Sequence, residues 1–180
     1  MNAGQAGIDE QRDIIKALQF ALKMETDGKE FYQESSRKSI NELGKELFQR
    51  LSAEEDKHRQ KFQEIYQAIS QKKSWPIITT SPAGEDIKTI FTQNTMDAAK
   101  TSASPQEFNA IDTALDMEDR SRKFYQEQAQ KSNNNTGKEF YQSLVAEERG
   151  HYLALTDYRE YLRNPAGWFT VKEHPSLDGA

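Results

Sequence analysis

The sequence predicts an all-α fold, one bundle of four helices made from two repeated helical hairpins. Three observations predict it. The stretch from Ala17 to His58 returns 93 residues later, without a gap, as Ala110 to His151, with about half its positions identical. Within each copy, apolar residues recur at intervals of three and four, the period of a helix packed on one face. Between the copies lies a long segment in which Trp75-Pro76 and Ser81-Pro82 break helix, as a crossover between hairpins requires.

The elements follow in order. Hairpin one covers about 9–71, with helices at about 9–36 and 41–71. Its stripes are Ile14, Leu18, Leu22, Glu25, Tyr32, then Leu47, Leu51, Glu55, His58, Phe62, Ile65. The crossover covers about 72–104 and has room for one short amphipathic helix, 85–99. Hairpin two covers about 105–163, with helices at about 105–131 and 136–163. Its stripes are Ile111, Leu115, Glu118, Tyr125, then Phe140, Leu144, Glu148, His151, Leu155, Tyr158. Thr136 and Glu139 have the spacing of a capping box at the start of the last helix. Short loops within each hairpin make its helices antiparallel. The tail, 164–180, is irregular, and Trp168, Phe169 and Val171 are expected to dock on the bundle or on a second subunit. Residues 1–180 are read as a single domain, a length that suits one core.

Composition narrows the function. Charged residues make up 29% of the chain and hydrophobic ones 35%, as in long helices with solvated outer faces. The net charge is -5 with no basic patch, which argues against nucleic acid as a partner. There is no cysteine, so disulfides, zinc–thiolate sites and iron–sulfur clusters are excluded for these 180 residues. No apolar run reaches the roughly 20 residues that span a membrane. The N-terminal residues lack an apolar signal core, and a cytoplasmic location is the expectation.

Each apolar stripe carries ionisable groups where its next core residue should be. Glu25 and Glu118 do so in the first helix of each hairpin. Glu55 with His58, and Glu148 with His151, do so in the second. A buried, unpaired carboxylate costs several kcal/mol or takes up a proton. Two divalent cations cancel four carboxylates and leave both imidazoles as neutral ligands. Residues three apart share a helix face, so each Glu-x-x-His can grip one ion. One Glu from each of two helices, plus a Glu-x-x-His from each of the other two, is the di-iron carboxylate pattern. Two ions per chain are expected, iron or manganese, since both accept these ligands. Glu54 and Glu147 lie beside the expected ligands, either at the surface or behind the metal ligands. Tyr32 and Tyr125 lie two turns beyond Glu25 and Glu118. They are either core aromatics or hydrogen-bond donors to a ligand carboxylate. His174 reads as a surface residue.

At these residues the chain resembles the rubrerythrin family of the ferritin-like superfamily. The motifs are Met-Glu-x6-Tyr at Glu25 and Glu118, and Ala-Glu-Glu-x-x-His ending at His58 and His151. The tail from Asn164 to His174 and on to Gly179 is similar to that of short, stand-alone members. The resemblance implies that Glu55 and Glu148 bridge two irons, that Glu25 and Glu118 are terminal ligands, and that each histidine takes one iron. Typical members carry a rubredoxin domain with four cysteines. Its absence here implies a separate electron-donor protein. Typical members also have a carboxylate three residues beyond the helix-three Glu. Ser121 stands there, with Gly28 as its repeat partner, so the site is more symmetric and closer to bacterioferritin-like sites.

The expected function is that of an oxidoreductase reducing hydrogen peroxide, or less readily dioxygen, under oxidative stress. The alternatives are a ferroxidase or iron-storage protein using the same residues, and a metal-free structural bundle. A homodimer is expected, because family bundles associate through helix faces.

Overall fold

The structure, a computed structural model, describes residues 3–78, 104–165 and 168. Among those residues there are four long helices: α1 (Ala3–Lys38), α2 (Glu42–Ser70), α3 (Pro105–Lys131) and α4 (Asn135–Arg163). No strand occurs among the described residues. This is the all-α four-helix bundle that the repeat and its periodicity predict. Helix α1 starts earlier than the expected residue 9, since Ala3, Gln5 and Ala6 are good helix formers. The expected helix at 85–99, and Phe169, Val171 and His174, lie outside the described residues. Among those residues, no helix is long and apolar enough to cross a membrane.

The duplication is visible in how the helices begin. The Asn41 side chain accepts from the N–H groups of Leu43 and Gly44 and caps α2. Its repeat partner Asn134 accepts from Gly137 N–H at 2.9 Å and caps α4. The cap is therefore Asn134 and not the box at Thr136 and Glu139. An asparagine oxygen satisfies a first-turn N–H as well as a threonine does, and it sits at the turn itself. Helix α3 opens with Ser104 as cap and Pro105 in its first turn, where a missing N–H costs nothing.

Helix α2 ends in a Schellman turn: Lys73 N–H bonds Ala68 C=O, and Lys72 N–H bonds Ile69 C=O, both at 3.0 Å. The turn places Lys72 at φ 58°, a left-handed conformation that favours glycine.

Helices α1 and α2 pack as one hairpin and α3 and α4 as the other, joined by turns of three residues each. Their shared interior is divided. One apolar block contains Leu47, Phe48, Leu51, Ile111, Leu155 and Tyr158. The other contains Leu18, Phe62, Ile65, Tyr125, Phe140 and Leu144. Trp168 packs edge-on against Tyr161 of the first block, with ring centroids 5.9 Å apart, so this part of the tail does dock on the bundle.

A polar cluster closes the end of the first block. Glu107 is 4% exposed and accepts from the Tyr158 hydroxyl at 2.6 Å and from the Ser39 hydroxyl. It joins the α1–α2 turn, the start of α3 and the end of α4. Gly44 lies directly beneath. A methyl group there would run into the Tyr158 hydroxyl and come within 2.7 Å of Glu107 Oε1.

Two substitutions test these readings by thermal or urea unfolding. Gly44→Ala is expected to destabilise by about 1–3 kcal/mol through overpacking; an unchanged midpoint would contradict the tight fit. Lys72→Gly is expected to stabilise by up to about 1 kcal/mol by relieving the left-handed lysine.

Candidate metal centre

Between the two apolar blocks lies a layer of ionisable groups. Glu25 comes from α1, Glu55 and His58 from α2, Glu118 from α3, and Glu148 and His151 from α4. None is more than 6% exposed. Helical geometry explains why all six converge. Each sits midway along its helix on the same stripe as the core residues, and the antiparallel hairpins bring the four midpoints level.

The arrangement has two halves. His58 Nδ1 lies 3.4 Å from Glu25 Oε2, 3.8 Å from Glu55 Oε2 and 3.3 Å from Glu148 Oε1. His151 Nδ1 lies 3.5 Å from Glu118 Oε2, 3.8 Å from Glu55 Oε1 and 3.7 Å from Glu148 Oε2. Glu55 and Glu148 thus turn one oxygen toward each imidazole. Glu25 and Glu118 each serve one half. The two imidazole rings lie 5.8 Å apart, 21° from parallel.

Electrostatics forbids leaving such a layer ionised and uncompensated. Burial raises Glu55 well above the usual carboxylate range, and the charge of Glu25 adds to it. Burial and then the charge of Glu148 push Glu118 up to about 8, against the pull of His151. Burial works to lower His58, but Glu25, Glu147 and Glu148 around it hold it well above the ordinary imidazole value. His151 is raised in the same way by Glu118 and Glu148. Burial pushes Glu148 up too, yet the Glu118 carboxyl and the two imidazoles facing it hold it well below its usual value. The metal-free layer therefore keeps protons that a neutral-pH surface would release.

The donor set fits metal ions. Within this layer six buried atoms have no hydrogen-bond partner among the described residues: Glu25 Oε2, His58 Nδ1, Glu118 Oε2, both oxygens of Glu148, and His151 Nδ1. These same atoms face one another across the layer. Two groups can each hold an ion, Glu25, Glu55, His58 and Glu148, and Glu55, Glu118, Glu148 and His151. Within each group the ligand atoms lie within 4.8 Å of one another. Carboxylate and imidazole donors suit iron, manganese or zinc.

The two tyrosines resolve the choice that periodicity leaves open. The Tyr32 hydroxyl donates to Glu118 Oε1, and the Tyr125 hydroxyl donates to Glu25 Oε1. Each crosses to the other hairpin, which stripe geometry along one helix does not reveal. Burial first, then the adjacent glutamate charge, raises both phenols well above the ordinary range, so both remain donors. The glutamates beside the ligands part company. Glu54 pairs with Lys57 at 2.6 Å near the surface. Glu147 is 4% exposed and meets His58 Nε2 at 2.8 Å, with Lys61 Nζ 3.5 Å away. Glu147 fixes the ring so that Nδ1 faces the site. Position 61 gives a signal for the difference: it is lysine in the first copy and Ala154 in the second.

Position 28 also faces the site. A Cβ on Gly28 would lie 3.4 Å from Glu55 Cδ, so the missing side chain leaves the space beside Glu55 open.

A comparison with protein families agrees with the geometry: the family model described as Rubrerythrin matches residues 16–158. No curated protein and no solved structure matches the chain.

The raised groups give a pH signature for metal-free protein. Glu118, Glu55, His58 and His151 bind protons more tightly folded than unfolded. The stability they lend is complete at low pH and drains away as pH climbs; for Glu118 the window runs from 4.5 to about 8. Each such group contributes a slope of at most about 1.4 kcal/mol per pH unit. Glu147 and Glu148, held low, act in the opposite sense at acid pH. Thermal melts in chelator should therefore show a midpoint falling across this window, and added ferrous or manganous ion should flatten the fall. A midpoint that rises with pH in chelator would refute the burial of these carboxyls.

Proposed function

Because the chain belongs to the rubrerythrin family, we propose that it is a di-iron carboxylate oxidoreductase that reduces hydrogen peroxide, or less readily dioxygen. The observation that carries this reading is the set of unpartnered oxygens and nitrogens converging from four helices. Glu25 and His58 would hold one ion, and Glu118 and His151 the other. Glu55 and Glu148 would bridge, since each offers an oxygen to both halves. When bound, a pair of ferrous ions would supply one electron each to peroxide, which with two protons from solvent would give two waters.

The chain's own groups serve that chemistry in four ways. The carboxylates bind and neutralise the cations. Tyr32 and Tyr125 hold Glu118 and Glu25 from behind, leaving the Oε2 atom of each free to coordinate. Glu147 orients His58. The two apolar blocks keep bulk water from the layer. The 180 residues contain no cysteine, so the electrons would come from a donor outside them.

A second reading, a ferroxidase that releases its iron, is favoured by Gly28 and Ser121. Neither offers the additional carboxylate expected of a rubrerythrin peroxidase site.

Metal analysis and stopped-flow mixing decide the matter. Two irons per chain are expected, oxidised by peroxide faster than free ferrous ion and faster than by dioxygen. Glu148→Ala should lower iron affinity by about tenfold or more, whereas Tyr125→Phe should retain iron. A purified protein that binds no iron would end both readings. Loading well beyond two irons per chain would select the ferroxidase.

A further inference from the structure

Two files of aromatic rings leave the carboxylate layer, and each ends at one of the chain's two tryptophans. The first starts at Tyr125, whose hydroxyl donates to Glu25. Tyr141 stacks on it with centroids 6.2 Å apart and rings 24° from parallel. Trp75 follows at 5.8 Å from Tyr141. The second starts at Tyr32, which donates to Glu118. It runs through Phe48 at 6.1 Å, Tyr158 at 6.2 Å and Tyr161 at 6.1 Å to Trp168 at 5.9 Å.

The files differ at one repeat position. Residue 141 is tyrosine where its partner, residue 48, is phenylalanine. Phenol and indole rings give up an electron far more easily than a benzene ring does. The first file is therefore oxidisable at every member, and the second is interrupted next to the site. Packing alone does not call for the extra hydroxyl, since Phe48 fills the equivalent place without one. Burial keeps the Tyr141 phenol well above its ordinary range, so the residue stays neutral at rest.

We propose that Tyr125, Tyr141 and Trp75 form a one-electron relay that carries electrons inward from Trp75 to an oxidant at the carboxylate layer beside Glu25. The inference rests on the di-iron reading for its oxidant. In each passage, an oxidant generated at the carboxylate layer takes one electron from Tyr125, and the phenol proton moves along its hydrogen bond to Glu25. Tyr141 returns an electron to Tyr125, the proton goes back, and the Tyr141 proton passes to water. Trp75 then re-reduces Tyr141, which takes a proton back from water. Trp75 is 9% exposed and its Nε1 has no partner, so it loses an electron without handing its proton to a side chain. An outer-sphere one-electron reductant in solvent restores it. The sum is one electron moved from that reductant to the site, with every ring unchanged.

The relay can be tested apart from the metal. The full chain carrying Trp168→Phe, treated with zinc so that no bound metal exchanges electrons, is oxidised at Trp75 by azide radical in pulse radiolysis. The tryptophan radical should decay into tyrosyl radical at a rate independent of protein concentration. Adding Tyr141→Phe, which leaves the ring in place, should slow that decay at least tenfold. Equal rates with and without the hydroxyl, or no intramolecular transfer at all, overturn the relay. Iron-loaded wild-type protein, freeze-quenched after peroxide, should show an aromatic radical by electron paramagnetic resonance that Tyr141→Phe shifts or removes. Iron oxidation with no such radical refutes the relay and leaves the di-iron reading intact. Transfer in the zinc-treated chain, with no iron bound by the purified protein, supports the relay and removes that reading.

Discussion

The interaction on which the structure depends is the mutual repulsion of four buried glutamates. Glu25, Glu55, Glu118 and Glu148 meet in a layer with almost no access to water. Ionised carboxylates in such a place cost several kcal/mol each, far more than a marginally stable bundle can absorb. Either protons or cations must answer them. In the metal-free layer protons do part of the work, which is why Glu55 and Glu118 are driven upward while Glu148 keeps its charge between two imidazoles. Dications answer all four charges at once and use the atoms that hydrogen bonding leaves idle. The same constraint explains the divided core. Each block is complete by itself, and the layer between them is reserved for charge.

Duplication makes this layer nearly symmetric, and its departures from symmetry carry chemical information. Caps, short loops and ligands are shared between the halves, because any helical hairpin of this shape needs them. The exceptions lie where the halves face different surroundings. Glu107 replaces the apolar Ile14 of the first copy, and Tyr158 replaces Ile65; together with Ser39 they form the polar clamp at one end. Lys61 replaces Ala154, and beside it Glu147 folds inward to His58 while Glu54 stays near the surface. Tyr141 replaces Phe48 and completes an oxidisable file of rings on one side alone. A site whose two halves carry the same residue types can thus still have unequal surroundings.

Much of the molecule was legible in one dimension. The four helices follow from apolar period and from a repeat too regular to be accidental. Even the choice of Glu55 over Glu54, one residue away, followed from the three-residue spacing to His58. That spacing works because helix geometry is local: 3.6 residues per turn settles which side chains share a face. The N-cap of α4 is an exception for a related reason. Thr136 and Asn134 both have capping chemistry, and only the path of the turn decides between them.

What the sequence by itself determined was the set of buried carboxylates and histidines, its pairing along each helix and its charge, since all three depend on periodicity and residue type. Only the tertiary structure decided how the hairpins face each other. That arrangement sends the Tyr32 and Tyr125 hydroxyls across to the opposite hairpin, buries Glu107, and turns one oxygen of Glu55 and of Glu148 toward each histidine. Apart from the contact within each Glu-x-x-His, these join residues separated by tens of positions, and no local rule of backbone geometry encodes them; they come from how side chains fill the shared interior.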